Sequence, residues 1–208
     1  MTGIRPLLGA LVLSLTAGTA WAVCPSVKVQ FEDSFDQFKP TWGDPSPEVK
    51  VENGNMILSP ASGTYAWRAN TAGLYDDVDM CVTVTTQASV DPADAKAGLV
   101  FWYTDVNNFY VFEIAPNGAA SVWRRQRGKW LAQVKWTDSA SVNKGDSAIN
   151  ELRVTTVGSD ATFFVNGTEF KKLSGTPPEK GQEIGLFAAS PEKGQASFAF
   201  EGLRVTKP

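Results

Sequence analysis

The sequence predicts an all-β protein, a two-sheet antiparallel β-sandwich, and three observations carry that prediction. From Val27 onward, short runs rich in β-branched and aromatic residues alternate with glycine, proline and asparagine turns. No stretch sustains the period of an amphipathic helix. Two Asn-Gly pairs, Asn53-Gly54 and Asn166-Gly167, sit between such runs, and Asn-Gly accepts the positive φ angles of a hairpin turn whose twist suits its flanking strands. Two sheets packed face to face bury one side of each and leave the other sides polar or open for binding.

Taken in order, the chain begins with Arg5 ahead of the apolar run "PLLGALVLSLTAG", which closes on "AWA" at residues 20 to 22. This reads as a secretory signal peptide, residues 1–22, cleaved after Ala22. The remaining 23–208 make one domain, exported to the periplasm or the extracellular space. No later segment is apolar enough to span a bilayer, so the protein is not expected to be integral to a membrane. "DQFKPTWGDPSPEV" reads as a wrap over a sandwich edge, and "VKVENGNMILS" as a hairpin. In "DVDMCVTVTTQ", Val78, Met80, Val82 and Val84 alternate with Asp79, Cys81, Thr83 and Thr85, the period of a strand with one buried face. "SVDPADAKA" is a loop. Strands at 98–103, 109–115, 119–125 and 130–136 then form a meander, and "NELRVTTV", "ATFFVN", "EIGLFAAS" and "ASFAFEGLRV" bring the total to about a dozen.

Within the meander, alternation sorts the rings. Tyr110, Phe112 and Ile114 share one face and Phe109, Val111 and Glu113 the other, with Glu113 marking the wetter side. Trp123 and Arg125 oppose Val122 and Arg124, and on the last strand Trp130 and Trp136 read as inward with Lys135 outward. The first strand is apolar on both faces. A strip in which Trp102 or Trp123 stacks a sugar ring, with Glu113, Arg124 and Arg125 bonding its hydroxyls, is the ligand site this pattern suggests. The competing reading buries those tryptophans as core.

Bulk charge narrows the partners. The formal charge of −3 becomes −4 when Arg5 leaves with the signal, too mild an acidity to imply nucleic acid or an anionic membrane. Export favours a disulfide between the two cysteines, Cys24 and Cys81, which would stabilise by roughly 4 kcal/mol in the chain-entropy view. With no histidine in the chain, Ser-His-Asp and Cys-His catalysis and His-based metal sites are excluded. Carboxylate chemistry remains, with Glu113 and Glu151 as its candidates, each isolated in sequence. Asp76, Asp77 and Asp79 form the one cluster of hard oxygen ligands, a candidate calcium site, though as a strand entry they need no metal and no cofactor is expected. Asp105, Asn107 and Asn108 read as turn formers, "NGT" at 166–168 as a hairpin rather than a glycosylation site, and "RRQRGK" as a basic, solvated hairpin end, with contact to acidic polysaccharide as the lesser alternative.

The segments "AGLVFWYTDVNNFYVFEIAPNG", "RRQRGKWLAQVKW", "NELRVTTVGSDATFFVNGTEF" and "GLFAAS…FAFEGLRV", in that order, resemble the concanavalin A-like and laminin G-like jelly-roll superfamily. Their cadence is closest to exported bacterial domains of the 3-keto-disaccharide hydrolase-like kind. The resemblance runs from about Phe31 to Val205. It implies a concave sheet that holds glycans and admits both enzymes and binding modules. The glucanase branch of that superfamily carries a Glu-x-Asp-x-x-Glu cluster on one strand, and this chain lacks it. The expectation is therefore a non-catalytic module for carbohydrate or another cell-envelope ligand; a hydrolase of (keto-)disaccharides and a structural envelope protein are the alternatives.

Overall fold

The computed structural model describes residues 28–208 and bears out the sandwich. The strands are β1 (Val29–Asp33), β2 (Val49–Glu52), β3 (Asn55–Leu58), β4 (Tyr65–Tyr75), β5 (Val78–Ala88), β6 (Lys96–Asp105) and β7 (Asn108–Ala115). They continue with β8 (Ala119–Gln126), β9 (Lys129–Asp138), β10 (Ile149–Val157), β11 (Asp160–Val165), β12 (Thr168–Ser174), β13 (Gln182–Ala189) and β14 (Ser197–Thr206). The larger sheet runs β12-β11-β10-β5-β14-β3-β2, with β1 also paired to β14. The smaller runs β4-β13-β6-β7-β8-β9. No helix among the described residues is long and apolar enough to cross a membrane.

The core lies between the sheets and is built by alternation. Val78, Met80, Val82 and Val84 enter from β5, Leu99 and Phe101 from β6, Tyr110, Phe112 and Ile114 from β7, and Ile184, Leu186 and Ala188 from β13. On β14 the inward set changes parity, from Phe198 and Phe200 to Leu203 and Val205. A bulge between Glu201 and Arg204, with Gly202 at φ 64, inserts the residue that makes the switch. Asn53-Gly54 (φ 52, 73) and Asn166-Gly167 (φ 51, 77) take the left-handed pair of angles expected of type I′ turns.

The proline-rich segment after β1 does cover an edge. Its 3-10 turn, Pro40–Trp42, sends Trp42 into the core, where the indole N–H donates to Asp33 Oδ2 at 2.8 Å. Asn70 and Thr71 of the edge strand β4 donate to Thr41. Cys81 is buried and is not a free thiol; Cys24 and the signal segment 1–22 lie outside the described residues.

Candidate functional site

The outer face of the smaller sheet carries the site, because one register row across it pairs Trp67 with Phe187, Phe187 with Gly98, Gly98 with Glu113 and Glu113 with Ser121. A Cβ at Gly98 would stand 2.2 Å from the Phe112 carbonyl oxygen. The missing side chain there leaves a depression between Phe187 and Glu113. Two residues further along, Tyr65 pairs Ala189 and Ala189 pairs Lys96. Tyr65, Lys96, Glu113, Trp123, Trp130, Phe187 and Ala189 enclose a pocket of about 290 Å³.

Its walls are aromatic. Tyr65 stacks on Trp67 (5.7 Å between ring centroids) and on Phe187 (6.0 Å) and meets Trp130 edge-on at 5.7 Å, while Trp67 and Trp130 each approach Phe109 at 5.5 Å. Val100, Phe109, Val111 and Phe187 form an apolar floor separate from the inter-sheet core. The rings sit on strands rather than loops, so the aromatic platform is fixed by the sheet itself.

The polar content is sparse and specific. Ser121 Oγ donates to Glu113 Oε1 at 3.0 Å, and Trp123 Nε1 donates to Ser121 Oγ at 3.0 Å, so the indole, hydroxyl and carboxyl form a chain. Glu113 is 4% exposed, and that burial pushes its carboxyl up to about 7 against the opposing pull of Lys96 and the Ser121 bond. Near neutrality it is therefore divided between its acid and carboxylate forms. The Lys96 ammonium lies 5.6 Å from the Trp136 ring centroid. Arg125 spreads over Tyr65, Trp67 and Trp130 (5.7, 5.9 and 5.4 Å to the centroids) and donates from Nη1 to the Tyr65 hydroxyl.

Of the tryptophans expected at the site, Trp123 lines the pocket and Trp102 does not. Trp102 is 2% exposed and packs in the core against Phe101 and Tyr110. Simple alternation fails there because β6 bulges beyond Phe101: Trp102 adopts φ 47, its N–H donates to Gln182 Oε1 at 2.8 Å, and the ring turns inward. The inward reading of Trp130 also gives way. Register shifts on either side of Val122 put two bulges in β9, so Trp130 faces the aromatic floor and Trp136 meets Lys96, while Val134 between them packs on the core. Arg124 leaves this pocket and lies over the Tyr110 ring at 5.1 Å.

Glu151 belongs to β10 of the larger sheet, half-buried on the outward side of a strand whose Leu152 and Val154 point into the core, so it does not converge with Glu113. Burial raises its pKa, and Arg153 opposes that shift. The aspartates serve structure: Asp79 accepts a two-pronged contact from Arg153 (2.6 and 2.5 Å), and Asp77 accepts the Gly158 N–H at 2.7 Å. Among the described residues no three metal-ligating side chains gather. Asp105 accepts the Asn107 N–H at 2.7 Å, shaping its turn as expected. Tyr65, Trp67, Lys96, Gly98, Ser121 and Phe187 were not singled out from the sequence. The Tyr-x-Trp spacing at 65–67 is the period-two signal that marks the first pair.

No protein-family model and no curated protein matches the chain by sequence. Solved structures do match its fold. A carbohydrate binding module, CBM66, from Bacillus subtilis superposes with a TM-score of 0.56 at 11% identity, covering 83% of this chain and 93% of that one. A β-glucanase from Bacillus licheniformis gives 0.59 at 11% identity, over 88% and 100%. The GH43 protein BlXynB, a mutant from Bacillus licheniformis, gives 0.60 at 16% identity, covering 85% of this chain and 39% of that one. The fold is the concanavalin A-like jelly roll.

Proposed function

We propose that this protein is an exported, non-catalytic carbohydrate-binding module that takes a sugar, from a free or envelope-attached glycan, on the outer face of its smaller sheet. The observation that carries the reading is the pocket itself: four aromatic side chains around one buried carboxyl, with no second carboxylate on its lining. Glycoside hydrolysis needs two carboxyl groups roughly 5 to 10 Å apart across the scissile bond, and the pocket supplies one. Stacking by Trp123 and Trp130, with hydroxyls bonded by Glu113 and Lys96, needs only what is present. The fold neighbours, which include a module named for carbohydrate binding and several glycoside hydrolases, agree with a sugar ligand and leave the choice between binding and hydrolysis to the site. Export, a Cys24–Cys81 bridge and a working life in the periplasm or outside the cell belong to the same proposal.

The test is a titration of the mature chain with oligosaccharides, read by tryptophan emission and calorimetry. Binding without release of reducing ends is expected. Trp123→Ala and Trp130→Ala should each weaken it about ten-fold, the loss typical of a buried aromatic anchor. Turnover of a disaccharide that Glu113→Gln abolishes would overturn the non-catalytic assignment and install the hydrolase in its place.

A further inference from the structure

A second, smaller hollow of about 170 Å³ opens beside the aromatic pocket, lined by Thr104, Asn108, Tyr110, Arg124, Arg125 and the 176–178 segment, with Trp102 and Phe109 behind. Arg125 stands on the divide: its guanidinium lies over Tyr65 and Trp130 of the first pocket while the residue also lines the second. Neither arginine in this hollow forms an ion pair among the described residues, and all five ion pairs there involve other cations. Arg125 Nε is buried with no acceptor. Both guanidinium planes are held by rings, Arg124 by Tyr110 and Arg125 by its three aromatic neighbours, so little conformational freedom remains to be lost on binding an anion.

No carboxylate lines the hollow. Asp105 is tied within its own turn, and Glu183 sits on β13, three strands away from Arg125 on β8. A protein of negative net charge thus presents two positioned, ion-pair-free arginines beside a sugar-stacking face.

We infer that the hollow is an anion subsite, and that the saccharide bound on the aromatic face is an acidic one whose carboxylate or sulfate is held by Arg124 and Arg125. The inference rests on the reading of that face as the sugar site. A guanidinium meets carboxylate and sulfate oxygens through its planar fork of N–H donors, and Arg124 and Arg125 line this one hollow although they leave β8 on opposite faces, while Thr104 and Asn108, whose own donors are spent on Asn108 O and Asp105, shape its rim. Burial raises the Glu113 carboxyl and so weakens its repulsion of such a ligand, and Lys96 adds a third positive charge along the groove.

The experiment compares three hexasaccharide probes on the mature chain: an oligogalacturonide, a sulfated carrageenan fragment and neutral cellohexaose. At low ionic strength, binding of an acidic probe is expected to be roughly ten-fold tighter than binding of the neutral one, a preference that fades as salt rises. Arg124→Gln and Arg125→Gln should each lower the ratio of acidic to neutral affinity about five-fold, with Arg124→Lys restoring part of it. Whichever acidic probe wins tells carboxylate from sulfate. If cellohexaose binds as well as either acidic probe and salt has no effect, the anion subsite is wrong while the aromatic face stands; if no probe binds, both fall.

Discussion

Glu113 is the residue where structure and solution behaviour meet most directly. Its carboxyl is raised from 4.5 to about 7 in the folded protein, so between those two pH values the folded state holds more proton than the unfolded chain. Stability contributed by the neutral form is therefore complete below about pH 4.5 and is lost as pH rises through 7. Glu113→Gln keeps an oxygen for Ser121 and removes the ionisation. It should match the parent near pH 4 and exceed it by up to about 3 kcal/mol at pH 8, measured by urea unfolding across that range. Gly98 gives the opposite lesson. Its neighbour is a backbone carbonyl that cannot swing aside, so Gly98→Ala should cost about 1 to 3 kcal/mol and shrink the depression before Glu113, seen as a lower melting temperature together with weaker sugar binding. Neither role is visible in the sequence, since a lone glutamate and a lone glycine in a strand carry no sign of what pairs across from them.

Among elements, those that obey alternation were legible and those that bulge were not. β7 and β8 divide between core and open face as the period-two reading predicts, which is why alternation alone places Glu113, Trp123 and Arg125 on the open face. The bulges in β6 and β9 each shift the side-chain phase, and a shift of one residue reverses every assignment beyond it. That accounts for both misplaced tryptophans, Trp102 and Trp130. The two Asn-Gly hairpins look equivalent in sequence but differ in what their asparagines bind. Asn166 donates from Nδ2 to Ser141 O (2.7 Å) and Asn150 Oδ1 (2.9 Å) and accepts the Glu151 N–H (2.8 Å), tying β10, the β11–β12 turn and the loop before β10 together. No side-chain hydrogen bond of Asn53 is present among the described residues. Asn166→Ala should therefore cost about 2 to 4 kcal/mol and Asn53→Ala about 1 kcal/mol or less, a difference that chemical denaturation resolves.

At the scale of the molecule, the sandwich was readable because a buried sheet face imposes the same alternation on every strand it contains, and the signal accumulates over fourteen of them. The pairing order was not readable, since it depends on contacts between distant segments: β1 and β3 with β14, and β4 with β13. Those pairings close long loops before any contact repays them. Folding of the mature chain is accordingly expected on the millisecond-to-second scale, and stopped-flow tryptophan emission will show it.

β9 borders the smaller sheet, and an open border rich in indole invites another copy to add its own strand. The two bulges interrupt the regular comb of amide and carbonyl groups that such docking requires, and the ammonium groups of Lys129 and Lys135 on the same border repel a like neighbour. The irregularity that turns Trp130 toward the aromatic face also makes this border a poor template for strand addition.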